Sequence, residues 1–231
     1  MYEELESKSA LEILKWAKEE FKNDVVLASS FGAEDVVLID LWAKMADDNF
    51  KPRVFTLDTG RLPEETYKLM DKIREKYDIK LEIYYPDTKS VEEMLNKYGF
   101  NLFYKSIELR QLCCRIRKVE PLKRALKDAK AWICGLRREQ SITRADIKKV
   151  EIDTSNNSII KINPLSDWKE EEIWNYIKEN KVPYNELHDK NYPSIGCEPC
   201  TRAVRKIEDV RGGRWWWEPA EKKECGLHKK G

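Results

Sequence analysis

A single cysteine, Cys225, lies near the end of the chain in Glu221-Lys-Lys-Glu-Cys-Gly-Leu-His228, with a glycine beside it and a histidine three residues on. A thiolate is a strong nucleophile and an exchange partner for disulfides, so the residue types suit covalent sulfur chemistry. A lone terminal cysteine is more often an incidental thiol, and spacing alone does not lift Cys225 above that. Four other cysteines fall in two pairs, Cys113-Cys114 and Cys197-Glu-Pro-Cys200. A Cys-x-x-Cys pair brings two thiolates to one metal or cluster, and a second pair completes four ligands. Adjacent side chains diverge, which is awkward for one tetrahedral ion and easier for a larger iron–sulfur cluster with separate irons. Zinc, or two buried cysteines beside an unrelated turn, remain open readings of the spacing. Cys134, inside the apolar run Ala131-Trp-Ile-Cys-Gly135, reads as a small buried strand residue.

Cations gather near these sulfurs. Arg115, Arg117 and Lys118 follow the first pair, Arg137, Arg138 and Arg144 follow an expected strand end, and Arg211 and Arg214 precede three tryptophans. Planar guanidiniums suit tetrahedral oxyanions, so these groups describe a site for a substrate with more than one negative charge. Runs such as Lys148-Lys149 and Lys229-Lys230 read as solvated surface. His188 reads first as an ordinary loop histidine and only second as a ligand or base.

The chain must supply elements to hold these groups. Its 231 residues allow one large α/β domain, or a domain with an appendage. With 43 basic and 42 acidic side chains there is no global field to steer nucleic acid. No apolar run approaches the roughly 20 residues of a membrane span. The acidic N-terminus lacks the pattern of a signal peptide, so the sequence reads as cytoplasmic. Six cysteines there point to metal, cluster or redox chemistry more than to a disulfide framework.

Residues 9–21 have helical apolar spacing, and Val25-Val-Leu-Ala28 is a short buried strand that breaks into Ser29-Ser-Phe-Gly-Ala-Glu-Asp35 before a helix over 36–46. Hydroxyls of Ser29 and Ser30, with the bare backbone of Gly32 at a helix start, form a site for phosphate or sulfate. The pattern repeats: strand 54–57, the loop Asp58-Thr-Gly-Arg61, Pro63 at the first position of a helix to about Tyr77, strand 81–85, further helix, and strand 131–135. Alternation of this kind predicts a mainly parallel twisted sheet flanked by helices, with ligands at the carboxyl ends of its strands. Asp58, Thr59, Gly60 and Arg61 therefore join the candidate substrate residues. A hairpin over Val150–Asp153 and Ile159–Ile162 follows, then a helix with Ser166 or Asp167 as its N-cap. Gly212-Gly213 offers a hinge. The expected division is a nucleotide-binding body over 1–210 and a mobile tail over 211–231.

Taken together, several stretches resemble the assimilatory adenylylsulfate reductases of the sulfonucleotide reductase family. They are Ser30-Phe-Gly-Ala-Glu-Asp35, Leu57-Asp-Thr-Gly-Arg61, Cys113-Cys-Arg-x-Arg-Lys-Val-Glu-Pro-Leu122 and Gly135-Leu-Arg-Arg-Glu-Gln-Ser141, then Asn163-Pro-Leu165, Gly196-Cys-x-x-Cys200, Arg214-Trp-Trp-Trp-Glu218 and Glu224-Cys-Gly-Leu-His228. The resemblance implies an adenine nucleotide α-hydrolase-like fold related to ATP pyrophosphatases, and conversion of adenylylsulfate to AMP and sulfite with a thioredoxin-type dithiol protein. It implies Cys225 as nucleophile and Cys113, Cys114, Cys197 and Cys200 as ligands of a [4Fe–4S] cluster. Lys118, Arg144, Arg211, Arg214 and His228 fall where the family places its substrate-contacting cations. The resemblance leaves the oligomeric state open.

Three other readings compete. The first is the same reaction on 3′-phosphoadenylylsulfate, alone or alongside adenylylsulfate; relatives that prefer the former generally lack the cluster cysteines, so the full set favours adenylylsulfate. An adenylating ATP pyrophosphatase would use Ser-Gly-Gly-x-Asp-Ser/Thr in its phosphate loop, which this chain does not have. A zinc-stapled nucleic-acid-binding module fits poorly with near-zero net charge and a tail cysteine.

Overall fold

The computed structural model describes residues 2–141, 144–205, 210–219 and 227. Helix α1 (Ala10–Phe21) begins where Ser9 and Glu12 cap each other's backbone amides, the reciprocal arrangement that satisfies two orphan donors. Strand β1 (Val25–Ala28) follows, then α2 (Ala33–Ala43), β2 (Arg53–Leu57), α3 (Glu64–Lys76) and β3 (Lys80–Tyr84). Next come α4 (Thr88–Tyr98), α5 (Ile107–Cys114), α6 (Glu120–Ala125), β4 (Ala131–Ile133), β5 (Val150–Asp153), β6 (Ile159–Ile162) and α7 (Glu170–Glu179).

The six strands form one sheet in the order β3-β2-β1-β4-β6-β5. All neighbours are parallel except β5 against β6, where Val150 faces Ile162 and Asp153 faces Ile159. The chain steps from β1 outward to β3, then returns to β1's other side through β4. Such a reversal opens a crevice at the strands' carboxyl ends, where ligands bind in open α/β sheets. Apolar residues cover both faces. Val36, Leu38, Ile39 and Trp42 of α2 are all fully buried, as suits a helix apolar on every side. On the other face Val26, Phe55, Trp132 and Leu122 pack together.

Three expectations are corrected. Strand β4 stops at Ile133, so Cys134 and Gly135 lie past its end, although Cys134 still donates its N–H to Ile162. Helix α7 starts at Glu170, with Glu172 accepting from the Lys169 amide. Asp167 instead pairs with Lys149 at 2.7 Å and Ser166 is buried. Pro63 is the N-cap of α3, one position before the first turn.

Between α5 and α6 the residues Arg115–Val119 form a π-helical segment. Such wide turns are frequent at functional sites, and this one carries Arg117 and Lys118. Residues 210–218 do not behave as the start of a tail. Arg214 bridges Thr201, Arg202 donates to the Gly213 carbonyl at 3.0 Å, and Trp215 donates to the Cys200 carbonyl at 3.1 Å. A Cβ on Gly213 would stand 2.2 Å from the Arg202 carbonyl oxygen, so this glycine serves close backbone approach and not a hinge. No helix of the described residues is long and apolar enough to cross a membrane.

Candidate active site

The crevice at the switch point holds a cavity of about 240 Å³. The loop after β1 forms one wall. Ser29 accepts from the Phe31 amide at 3.0 Å, and Ser30 donates to Asp35 through both its amide (2.6 Å) and its hydroxyl (2.8 Å). The tight turn falls on Phe31, whose φ of 60° is left-handed and whose ring is fully buried. Gly32 is the N-cap of α2 in extended backbone. Hydroxyls, bare backbone and the helix start thus face the cavity together, a ready anion site.

Asp35 sits beneath this loop. Burial pushes its carboxyl up to about 6 from the ordinary 3.8, and the Ser30 hydrogen bonds oppose that only in part. A group whose folded pKa is raised favours the folded state at low pH. That contribution is full below about pH 4 and is lost as pH rises through about 6, a difference on the order of 3 kcal/mol. Relative to Asp35→Asn, the wild type's denaturant midpoint is therefore expected to fall between about pH 4 and pH 7. A difference that stays flat across that range would show that Asp35 keeps its ordinary pKa in the folded protein.

The loop after β4 forms the facing wall. Arg137 is buried and donates through Nε to Glu34 at 2.8 Å and through Nη1 to the Trp168 carbonyl at 3.3 Å. Gln140 accepts from the Arg137 amide and from Arg144, and donates to the Gly135 carbonyl. Arg144 lines the cavity with Arg137, Lys118, Arg211 and Arg214. Arg138 does not: its guanidinium turns to Glu6 at 2.8 Å and the Ile147 carbonyl at 3.0 Å. His188 lines the cavity edge-on to Trp174, with ring centroids 5.1 Å apart, and burial lowers its pKa.

The Asp58–Arg61 loop also faces elsewhere. Asp58 accepts from the Gly60 amide and the Tyr67 hydroxyl, which shapes a turn with Gly60 at φ 69°. Thr59 Oγ1 lies 3.2 Å from Cys197 Sγ, and the Thr59 carbonyl accepts from Arg117 at 2.5 Å. Arg61 lines a second, smaller cavity of about 20 Å³ together with Cys113, Cys114, Cys197 and Cys200. The sequence grouped this loop with the nucleotide residues; the structure brings its Thr59 and Arg61 to the sulfurs.

The four thiols surround that cavity instead of crowding onto one point. Among the described residues no three His, Cys, Asp or Glu side chains are grouped to hold a single metal ion. Burial raises the Cys113 thiol, with Arg117 opposing, and pushes Cys200 up to about 12, helped by Cys197 and Cys114. Lys118, Arg214 and Trp215 line both cavities and so form their shared wall. Arg214 passes where Gly196 has no side chain: a Cβ there would sit 2.3 Å from Arg214 Nη2. Arg110, unremarked in the sequence, is fully buried and paired with Glu218. Cys225 and His228 lie outside the described residues; Leu227, between them in sequence, lines the larger cavity.

Comparison with known proteins follows the same lines. A family model described as phosphoadenosine phosphosulfate reductase domain matches residues 24–203. Adenosine 5′-phosphosulfate reductase of Allochromatium vinosum is 49% identical over 222 residues, 96% of this chain and 85% of that protein. The crystal structure of phosphoadenylyl-sulfate reductase from Candida auris, in a phosphate complex, superposes with a TM-score of 0.72. It is 32% identical, covering 86% of this chain and 91% of that one. Yeast FAD synthetase in complex with FAD shares the fold alone, at a TM-score of 0.59 and 14% identity over 84% of this chain and 66% of that one.

Proposed function

The chain belongs to the sulfonucleotide reductases, the family of the phosphoadenosine phosphosulfate reductase domain, and on that premise we propose that it reduces adenylylsulfate to AMP and sulfite through Cys225. The Cys225 thiolate attacks the sulfate sulfur, a sulfur–sulfur bond forms, and the bond from that sulfur to the phosphate oxygen breaks. AMP leaves with the electron pair. A thioredoxin-type dithiol protein then attacks Cys225 through one thiolate, expelling sulfite. Its second thiol resolves the mixed disulfide, so the dithiol supplies both electrons and ends oxidised.

The single observation that carries this reading is Leu227, which sits two residues after Cys225 and lines the same cavity as the phosphate loop. Lys118, Arg144, Arg211 and Arg214 line that cavity too, and suit a doubly anionic substrate. Fixed cations there stabilise charge that builds on the leaving phosphate and lower the pKa of an approaching thiol. His228 and these cations are the proposed catalytic and binding groups, with Ser29, Ser30 and Gly32 on the nucleotide.

The residues present fit a [4Fe–4S] cluster on Cys113, Cys114, Cys197 and Cys200. Four thiols stand around one cavity, burial raises the pKa of Cys113 and Cys200, and Arg61, Arg117 and Lys118 lie alongside. Thiolates so placed need a metal to be stable, and coordination deprotonates a thiol outright. When bound, the cluster supplies a rigid mount and fixed charge, while the electrons come from the dithiol.

Greater identity to the Allochromatium enzyme than to the Candida one favours adenylylsulfate over its 3′-phosphorylated form. Intact-mass measurement after mixing with each nucleotide, without reductant, tests the reading. A sulfonate adduct on Cys225 with adenylylsulfate is expected. An adduct elsewhere, or none from an enzyme that turns over, would overturn it.

A further inference from the structure

We propose that Arg110 and Glu218 are a positioning pair for sulfur transfer: together they fix the chain segment leading to Cys225 onto the cysteine-lined cavity. The proposal rests on the Cys225 reading above and adds how that residue's approach is aimed.

The geometry is specific. Arg110 Nε donates to Glu218 Oε1 at 2.9 Å, and Nη2 donates to Oε2 at 2.8 Å. The two side chains are 0% and 2% exposed. A parallel two-bond pair fixes orientation as well as distance, which a lysine or an apolar contact does not. Stability alone explains it badly. Apolar residues of similar volume often replace a buried ion pair with no loss of stability, so a retained pair invites a search for a geometric task.

The surroundings supply that task. Arg110 lies on α5 four residues before Cys114, and its guanidinium also bonds that thiol. Glu218 closes a turn by donating its amide to the Trp215 carbonyl at 2.8 Å. The Trp215 ring lies between two guanidiniums, Arg110 and Arg214, each 4.8 Å from its centroid. Trp215 is also bonded through its amide to Cys200, of the other cysteine pair. Residues 214–218 therefore bond Cys200 directly, reach Cys114 through Arg110, and line the substrate cavity through Arg214 and Trp215. Glu218 is the last of them, seven residues before Cys225. An anchor at that point sets where the remaining chain starts and in which direction it leaves. A misplacement of about 1 Å at a reacting centre can cost about 100-fold in rate.

The test uses the purified, iron-containing protein. Glu218→Gln removes one charge but leaves the buried Arg110 guanidinium without its carboxylate, which can unfold a protein. A second variant, Arg110→Met with Glu218→Leu, removes both charges and keeps the space filled. Three quantities are read: the single-turnover rate of Cys225 sulfonation by intact mass, AMP affinity, and iron per chain. For the folded variants we expect sulfonation slowed by about 100-fold, with AMP affinity within about twofold and iron unchanged. In steady state kcat should fall while KM stays near that of the wild type. Sulfonation at the wild-type rate in either iron-containing variant would overturn the proposal. A parallel loss of sulfonation, AMP binding and iron in the doubly substituted protein would also overturn it, marking a staple of the fold. Failure of the underlying reading shows separately, as wild-type turnover without an adduct on Cys225. The pair is then judged on the split between kcat and KM.

Discussion

Cys225→Ser is expected to abolish sulfite release, by at least about 10⁴-fold, while AMP still binds within about twofold of the wild type. A thiol near its ordinary pKa of about 8.5 offers a usable thiolate fraction at neutral pH, and fixed cations increase it. A serine hydroxyl does not ionise there. No other thiol takes over. Cys134 lines the same cavity, but burial drives its pKa far up and leaves it protonated. The remaining four surround the smaller cavity behind the wall made by Lys118, Arg214 and Trp215. Nucleotide binding should persist because the phosphate loop and the loop after β4 are built without Cys225. Sulfite release, intact mass after adenylylsulfate, and AMP calorimetry measure the three parts. Sulfite from the serine variant above about a hundredth of the wild-type rate would remove Cys225 from the reaction.

Gly135→Ala should strike the other half of the site. Its new methyl would stand 2.4 Å from Asp35 Oδ1, 3.0 Å from Glu34 Cβ and 3.3 Å from the Asp35 amide nitrogen. Asp35 has little room to yield, since both Ser30 hydrogen bonds hold its other oxygen. Backbone must therefore shift at the first turn of α2, where the phosphate loop ends. Overpacking of this kind costs about 1–3 kcal/mol, or about five- to 150-fold in nucleotide affinity when the displaced atoms belong to the site. The cysteine cavity shares no residue with this contact, so iron content should hold. AMP titration alongside iron analysis checks both. Undiminished affinity would mean that the loop after β4 moves away instead of pushing on the phosphate loop.

Much of the architecture was legible in local pattern. Val25–Ala28 and the hairpin of Val150–Asp153 with Ile159–Ile162 are short β-branched runs between breakers, and they form strands at those bounds. The phosphate loop followed from Ser29, Ser30 and Gly32 ahead of a helix. Arg138, Thr59 and Arg61 show what pattern cannot convey, since residues in a ligand-side loop can face away from the ligand or towards a different cavity. Only tertiary partners decide: Glu6 for Arg138, Cys197 for Thr59. Arg110 carried no signal at all, because one arginine in an amphipathic helix reads as solvated surface. Its partner Glu218 is 108 residues away. The π-helical turn at Arg115–Val119 was equally hidden, being a compromise between α5 and α6 that no residue type announces.

Gly196 and the segment 214–218 also imply an order in time. Arg214 lies against the bare Gly196 backbone, Trp215 bonds Cys200, and the two residues line the cysteine cavity as its covering on one side. All four cysteines precede residue 201 in the chain, whereas this cover is synthesised after them. During translation there is thus an interval in which all four of these sulfurs have been made and the roof has not. Any group delivered to those sulfurs has its widest entrance then. Once the segment is in place, Glu218 meets Arg110, which also lines that cavity, in a buried ion pair. Loading before closure is the order the chain's direction favours.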